Sequence, residues 1–337
     1  MNITDLVNPY AYVMKLRRFL YHKGIFKYYT VPIPVISIGN LSVGGTGKTP
    51  VTLALAKYCG KIQGKKTAII LRGYKRKSSG YLLVSDGDTI LESVERSGDE
   101  AQIYAKELQG AIIICDEDRV RGAREAVSLG AEVILLDDGF QHIRLQRDLN
   151  ILLINSDESI PAVLPFGRGR ETISAVRDAD IIITNSGNKT SVTFYGKAVI
   201  QSQSTIRLLD LYTATGASTS SIEILRGKQI LALSGIANPV RFEKSLVPYS
   251  EIIVPYSLRD HTEYDSFLVE KIILKAKNEN CDMIVTTTKD AVKMLNLYRA
   301  LQQKDSSLPP LAVVKSEIEF VTGKELLFSS INDLFEK

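Results

Sequence analysis

Cysteine is scarce in this chain. Its three cysteines, Cys59, Cys115 and Cys281, lie far apart and form no CxxC pair. Neither a disulfide framework nor a zinc site is expected, and a reducing compartment fits best. Long apolar runs are missing too: no stretch of 18 apolar residues occurs, and the N-terminus lacks the uninterrupted apolar core of a secretory signal. The expectation is a protein made and kept on the cytoplasmic side. Net charge is only +4, and the five Lys and Arg of residues 1–30 against Asp5 account for all of it. No second basic patch supports binding to nucleic acid. No obligate protein partner is expected.

What is present is a globular composition, 45% hydrophobic over 337 residues, enough for about two domains. Residues 34–59, PVISIGNLSVGGTGKTPVTLALAKYC, read as strand, phosphate loop and helix. The glycines allow backbone N–H groups to approach phosphate oxygens where a Cβ would stand in the way. Gly44, Gly45, Thr46 and Gly47 would form the cradle, Lys48 would reach the β- and γ-phosphates of ATP, and Thr49 would hold Mg²⁺. Pro50 suits a first helical turn, where the missing N–H costs nothing. The usual first glycine of this pattern is Ser42 here, and Gly44 is extra. That variant resembles the loop of partition ATPases and metallochaperone GTPases, so a nucleotide switch is the rival reading.

Further along, KTAIIL (66–71), AIIIC (111–115), AEVILLDDGFQH (131–142), NILLIN (150–155) and DIIIT (180–184) are apolar strand runs alternating with helical patterns. This is the rhythm of a doubly wound, mostly parallel sheet. YLLVSDGDTI (81–90) reads as a short strand or hairpin turning at Gly87. A strand ending in Asp137 and Asp138 suits a Mg²⁺–nucleotide site, because strand ends face the crevice where phosphates lie. Asp99, on residue type alone, is a capping carboxylate at a helix start running to about Leu108. Residues 190–225 become extended and Ser/Thr-rich, a β-hairpin with linker. The α/β rhythm restarts at 229 and runs to the C-terminus without a second phosphate loop, as in a smaller Rossmann-like lobe. The expected organisation is therefore 1–30, a phosphate-loop core over 31–190, a linker over 191–225 and a small α/β lobe over 226–337.

Residues 1–30 also hold Tyr10, Tyr12, Phe19, Tyr21, Phe26, Tyr28 and Tyr29. On a helical wheel Tyr10, Tyr12, Val13, Leu16, Phe19 and Leu20 share one half, with Lys15, Arg18 and His22 opposite. Such a segment is either a membrane-surface helix or a helix packed on its own domain with a solvated basic face.

Together the motifs resemble those of the tetraacyldisaccharide 4′-kinase family. The residues that carry the likeness are SIGNLSVGGTGKTP (37–50), LRGYKR (71–76), SGDEA (97–101), DRVRGA (118–123), LDDGFQHIRLQRDL (136–149), GRE (169–171), SGIANPVRF (234–242), RDHTEY (259–264) and TTKDAVKM (287–294). They span nearly the whole chain in order. The resemblance implies phosphorylation by ATP of the 4′-hydroxyl of a tetraacylated glucosamine disaccharide 1-phosphate, at the cytoplasmic face of a bacterial inner membrane. It further implies that Asp99 is the general base with His261 as its partner. Asp138 and Glu171 would help hold Mg²⁺, Gln141 and His142 would line the site, and Arg119, Arg121 and Arg170 would contact phosphate groups. A substrate with four acyl chains does not leave a bilayer readily, since each buried CH₂ is worth roughly 0.8 kcal/mol. The resemblance thus favours membrane contact for residues 1–30.

Overall fold

Apolar runs of four to six residues bounded by Gly, Asp or Asn become strands covered on both faces, as parallel sheets require. In a computed structural model, residues 8–42, 46–155, 162–185 and 193–336 are described. They divide into two units, Met1–Ser204 with Ile318–Lys337, and Thr205–Glu317.

The first unit runs α1 (Pro9–His22), β1 (Val35–Asn40), α2 (Lys48–Lys57, continued by a π turn to Ile62), β2 (Thr67–Leu71), β3 (Leu82–Ser85), α3 (Val94–Ser97), α4 (Asp99–Glu107), β4 (Ile112–Cys115), α5 (Arg119–Ser128), β5 (Val133–Asp137), β6 (Leu149–Ile154), β7 (Ile181–Asn185), β8 (Thr193–Phe194) and the start of β9 (Lys197–Thr213). The sheet order is β9-β7-β6-β1-β5-β2-β4-β3. Along this path pairing is parallel except at the β3 edge. Alternation divides each strand between two cores. Ile36, Ile38, Val133 and Leu135 pack with Val51, Leu55 and Tyr104 under α2 and α4, while Val35, Ile134 and Leu136 pack with Val120, Ala123 and Ala126 of α5. Ile38 sits opposite Asp137 on one side and Ile151 on the other. The phosphate loop therefore leaves β1 beside the acidic end of β5, at the C-terminal edge of the sheet.

The second unit takes the rest of β9, then β10 (Gly216–Ser218), β11 (Gln229–Ser234), α6 (Pro239–Leu246), β12 (Ile252–Ser257), α7 (Ser266–Asn278), β13 (Met283–Thr287), α8 (Thr288–Lys304) and most of β14 (Leu311–Thr322). Its strands run β12-β11-β13-β14, all parallel, between a core on α7 and α8 and a second core on α6. A doubly wound, mostly parallel α/β fold with a smaller α/β unit is what the sequence pattern called for.

The boundaries differ from those expected. Residues 191–225 are not a separate linker: β9 is a continuous strand of 17 residues that passes from one unit to the other, with β10 folded back on it as a short hairpin. Nor does the second unit extend to the C-terminus. After β14 the chain rejoins the first unit, where α9 (Lys324–Asn332) buries Leu327 and Ile331 completely and stacks Phe328 on Tyr58 at 4.0 Å between ring centroids. Sequence periodicity shows that α9 has an apolar face, but not which surface it covers.

Candidate active site

The phosphate loop opens where β1 ends. Gly39 is required there, because a Cβ would lie 2.6 Å from that of Phe140 in the DDGF turn. Gly44 and Gly45 fall outside the described residues. Thr46 is buried, Gly47 precedes α2, and Lys48 and Thr49 form the first turn of that helix. Fully buried Asn40 ties these parts together. Its Nδ2 donates to Thr46 Oγ1 (2.9 Å), its Oδ1 accepts from Lys48 Nζ (3.2 Å) and from the Arg170 guanidinium, and its backbone O accepts from Gln141 Nε2 (2.7 Å). Asn40 was not among the residues singled out from sequence. The signal available was a polar side chain closing an apolar strand just before the loop.

The acidic pair divides into two environments. Asp137 is buried at the end of β5, its Oδ1 has no hydrogen-bond partner, and its pKa is pushed up to about 6. Burial is the main cause, opposed by Lys48 and reinforced by Asp138. The fully buried Tyr104 of α4 lies beside Asp137, Thr49 and Thr52, and burial first, then Asp137, drives its hydroxyl well above the usual range. Asp138 faces outward in left-handed backbone at φ 54°. Arg170 clasps it with two hydrogen bonds of 2.7 Å, and Lys48 stands 3.5 Å away. Burial acts to raise its pKa, but the Arg170 hydrogen bonds and the charges of Lys48, Arg170 and Arg119 hold it well below the carboxylate range. Two neighbouring carboxylates are thus shifted in opposite directions from the ordinary value.

The other expected residues of the first unit have distinct surroundings. His142 is partly buried, its Nε2 has no hydrogen-bond partner, and burial, followed by the Arg119 charge, lowers its pKa to about 4, so it is neutral at physiological pH. Arg119 is buried, donates to Asp116 O (2.8 Å), and has its pKa lowered by burial. Arg121 instead forks onto the fully buried Asp116 with two bonds of 2.7 Å from Nε and Nη2, which fix one edge of its guanidinium while half the side chain stays exposed. Asp99 is the buried first residue of α4, whose N-terminus opens at the same sheet edge as the phosphate loop.

Glu171, to which the resemblance gives a metal role, is engaged by a cation of α1. It is 1% exposed, and both its oxygens accept from Arg18 of α1, at 2.9 and 3.1 Å. Arg18 also pairs with Asp178 and lies over the Phe140 ring at 4.9 Å. The wheel places Arg18 opposite the apolar half and leaves open which half meets protein. In the structure Ala11, Arg18 and Tyr21 are buried, and Tyr12, Val13, Leu16 and Phe19 are between 52% and 60% exposed. The helix turns most of its apolar half outward.

The donor set fits a magnesium ion. Asp137, Asp138 and the Thr49 hydroxyl are hard oxygen donors, and a buried carboxylate oxygen without a partner is a ligand in waiting. Among the described residues no three His, Cys, Asp or Glu side chains form a self-sufficient metal cage. A nucleotide-bound Mg²⁺, which takes one or two carboxylates and completes its shell with phosphate and water, does not need one.

In the second unit, three of the motifs named above converge on fully buried Asp290. Its carboxylate accepts from Gly235 N (3.0 Å), Tyr264 Oη (2.9 Å) and Thr287 Oγ1 (2.7 Å). This holds the turn that carries His261, itself at φ 64°, with Lys289 Nζ 3.3 Å from His261 Nε2 and 3.0 Å from Asp260. Asp99 belongs to the first unit and His261 to the second.

Comparison with known proteins adds an independent line. A family profile described as "Tetraacyldisaccharide-1-P 4'-kinase" matches residues 4–335. The tetraacyldisaccharide 4'-kinase of Desulfotalea psychrophila is 37% identical over 301 residues, covering 86% of either chain. That of Pelobacter propionicus is 35% identical over 303 residues, covering 88% of this chain and 83% of its own. The crystal structure of LpxK from Aquifex aeolicus in complex with ATP superposes with a TM-score of 0.75 at 32% identity, covering 97% of this chain and 96% of that one.

Proposed function

The chain belongs to the tetraacyldisaccharide-1-P 4'-kinase family, and from that premise we propose that it transfers the γ-phosphoryl group of ATP to the 4′-hydroxyl of a tetraacylated glucosamine disaccharide 1-phosphate, giving lipid IVA. The hydroxyl oxygen forms the new P–O bond, the bond to the β-phosphate oxygen breaks, ADP leaves, and the hydroxyl proton passes to a base. Membership in this family sets aside the nucleotide-switch reading.

The observation that carries the assignment on this chain is the Asn40–Lys48–Asp138–Arg170 constellation at the end of β1 and β5. Lys48 and Arg170 are cations fixed where phosphate charge develops, so they neutralise it without reorganising. Thr49, Asp137 and Asp138 would hold Mg²⁺, which when bound would supply charge neutralisation to the phosphate groups. To Glu171 we assign the anchoring of Arg18 in place of a ligand role. His142, neutral at working pH, and Gln141 line the site as polar contacts, and Arg119 and Arg121 present charge to phosphate groups. We take Asp99 as general base with His261 as its partner, on the strength of the SGDEA and RDHTEY motifs. A sugar hydroxyl is too weak an acid to attack unaided, and a positioned carboxylate is typically worth ~10²–10⁴-fold.

The outward apolar half of α1 supports binding of residues 1–30 to the membrane surface, since a helix packed only for its own domain would bury that half. No helix among the described residues is long and apolar enough to cross a membrane. We place the protein peripherally on the cytoplasmic face, where ATP is available.

The test is transfer of ³²P from γ-labelled ATP to tetraacyldisaccharide 1-phosphate in mixed micelles. Labelled lipid is expected from the natural chain, and at least roughly a hundredfold less from Asp99→Ala. Release of free phosphate at a rate indifferent to the lipid would overturn the assignment.

A further inference from the structure

Residues 162–170 form a braced loop beyond the C-terminal end of β6. Gly169 N donates to Ala162 O (2.9 Å), Leu164 N to Gly169 O (2.8 Å) and Phe166 N to Val163 O (3.1 Å). The two arms come so close that a Cβ on Gly167 would lie 2.3 Å from Ala162 O. This fixed tip turns three consecutive apolar residues outward, Leu164, Pro165 and Phe166, with Leu164 37% and Phe166 59% exposed. Buried Asn8 joins the tip to α1. Its Nδ2 donates to the carbonyls of Val163 (3.1 Å) and Leu164 (2.8 Å), while its Oδ1 caps α1 by accepting from Tyr10 N and Ala11 N.

We propose that the 164–166 tip is a second membrane-contact element, entering the headgroup layer beside the outward face of α1; this rests on the membrane assignment of α1. The occupant is a bilayer surface bearing anionic lipid. Neither residues 8–29 nor residues 162–170 contain an Asp or Glu, and exposed Lys23 and Arg168 supply cations beside the apolar residues. A single interfacial helix leaves the protein free to roll about the helix axis. A second, rigid insertion point removes that freedom and holds Arg170, four residues along, at a set height above the lipid surface.

The chain contains no tryptophan, so each of Leu16→Trp, Phe166→Trp and Ile62→Trp carries a lone tryptophan, excited selectively over the tyrosines. Ile62 is 69% exposed beyond the far end of α2, at the opposite sheet edge, and serves as the control. Each full-length variant is mixed with phosphatidylcholine–phosphatidylglycerol vesicles with or without brominated acyl chains. The proposal expects blue shift and bromine quenching at 16 and 166 and neither at 62. It also expects Phe166→Ser to weaken vesicle partition roughly three- to tenfold with unchanged circular dichroism. Quenching at 16 without quenching at 166 overturns the proposal and leaves the α1 assignment standing. Quenching at neither overturns both. A blue shift at 166 that follows protein concentration in the absence of lipid assigns the tip to contact between copies of the chain, and likewise overturns it.

Discussion

Asp137 and Asp138 are adjacent in sequence, yet their environments give them opposite linkage to pH. The folded pKa of Asp137 is raised from an ordinary 3.8 to about 6. Between those values the folded chain binds more protons than the unfolded one, so the Asp137 contribution to stability falls as pH rises through that window. Removing the ionisable group by Asp137→Asn should therefore stabilise the nucleotide-free protein by on the order of 2 kcal/mol at pH 8, with the gain gone by about pH 4. Asp138 is depressed. Its contribution is present above the ordinary carboxylate pKa and is lost only as pH falls, so Asp138→Asn should lower stability at pH 8. Urea melts of the three proteins across pH 4–8 measure both signs: the Asp138→Asn curve should lie below the natural one throughout, the Asp137→Asn curve should lie above it at pH 8 and converge on it toward pH 4, and an Asp137→Asn curve parallel to the natural one would contradict the division of labour. At this scale the sequence was readable wherever the chemistry admits few residue types: Lys48, Thr49 and the acidic pair. Asn40 was not, because an amide ending a strand has many structural uses, and only its four hydrogen bonds distinguish it.

Among the elements, α1 teaches the most. A helical wheel finds two faces but does not say which one meets protein, and the usual presumption, apolar inward, is wrong here. The deciding group is Arg18, whose planar fork matches Glu171 and whose remaining N–H reaches Asp178. Burial opposes its charge, yet these carboxylates leave its pKa raised. Arg17 adds a bond to Gln141 O at 3.0 Å and Tyr10 one to Arg170 O at 3.4 Å, so the inner side of α1 braces the DDGFQH and GRE segments directly. Arg18→Met would strand a carboxylate that is 1% exposed, at a cost of about 3–5 kcal/mol. Replacing both partners, Arg18→Met with Glu171→Met, should recover part of that loss, because the unpaired charge goes as well. Guanidinium unfolding of the single and double variants completes the cycle. A cost for Arg18→Met below about 1 kcal/mol would mean that the pair is dispensable to the fold.

For the molecule as a whole, the strand rhythm gave the fold class but misplaced the divisions, for a physical reason. Periodicity reports local amphipathicity, and a domain boundary is a property of which faces meet across long stretches of chain. The two divisions fall inside continuous strands, at 204/205 in β9 and 317/318 in β14; no Gly or Pro marks them, and the polar run QSQST (201–205) at the first does not interrupt the strand. The C-terminal helix α9 consequently stabilises the phosphate-loop unit, not the unit that precedes it in sequence. Leu327 is fully buried in the core that includes Val51, Leu55 and Cys59. Asn332 accepts from Tyr58 Oη (2.8 Å) and Gln63 Nε2 (3.0 Å) at the end of α2. Leu327→Ala should cost about 2–5 kcal/mol through the cavity it leaves. More telling is where the loss is felt. Hydrogen exchange should accelerate in residues 48–62, the helix that carries Lys48 and Thr49, and stay near its natural rate in β11 and β13 of the second unit. If instead the protection of β11 and β13 fell first, α9 would belong with the small lobe as the linear pattern of the sequence suggests. Weaker ATP binding in the same variant would follow from the first outcome and not from the second, because only the first loosens the helix whose N-terminal turn presents Lys48 to the phosphates.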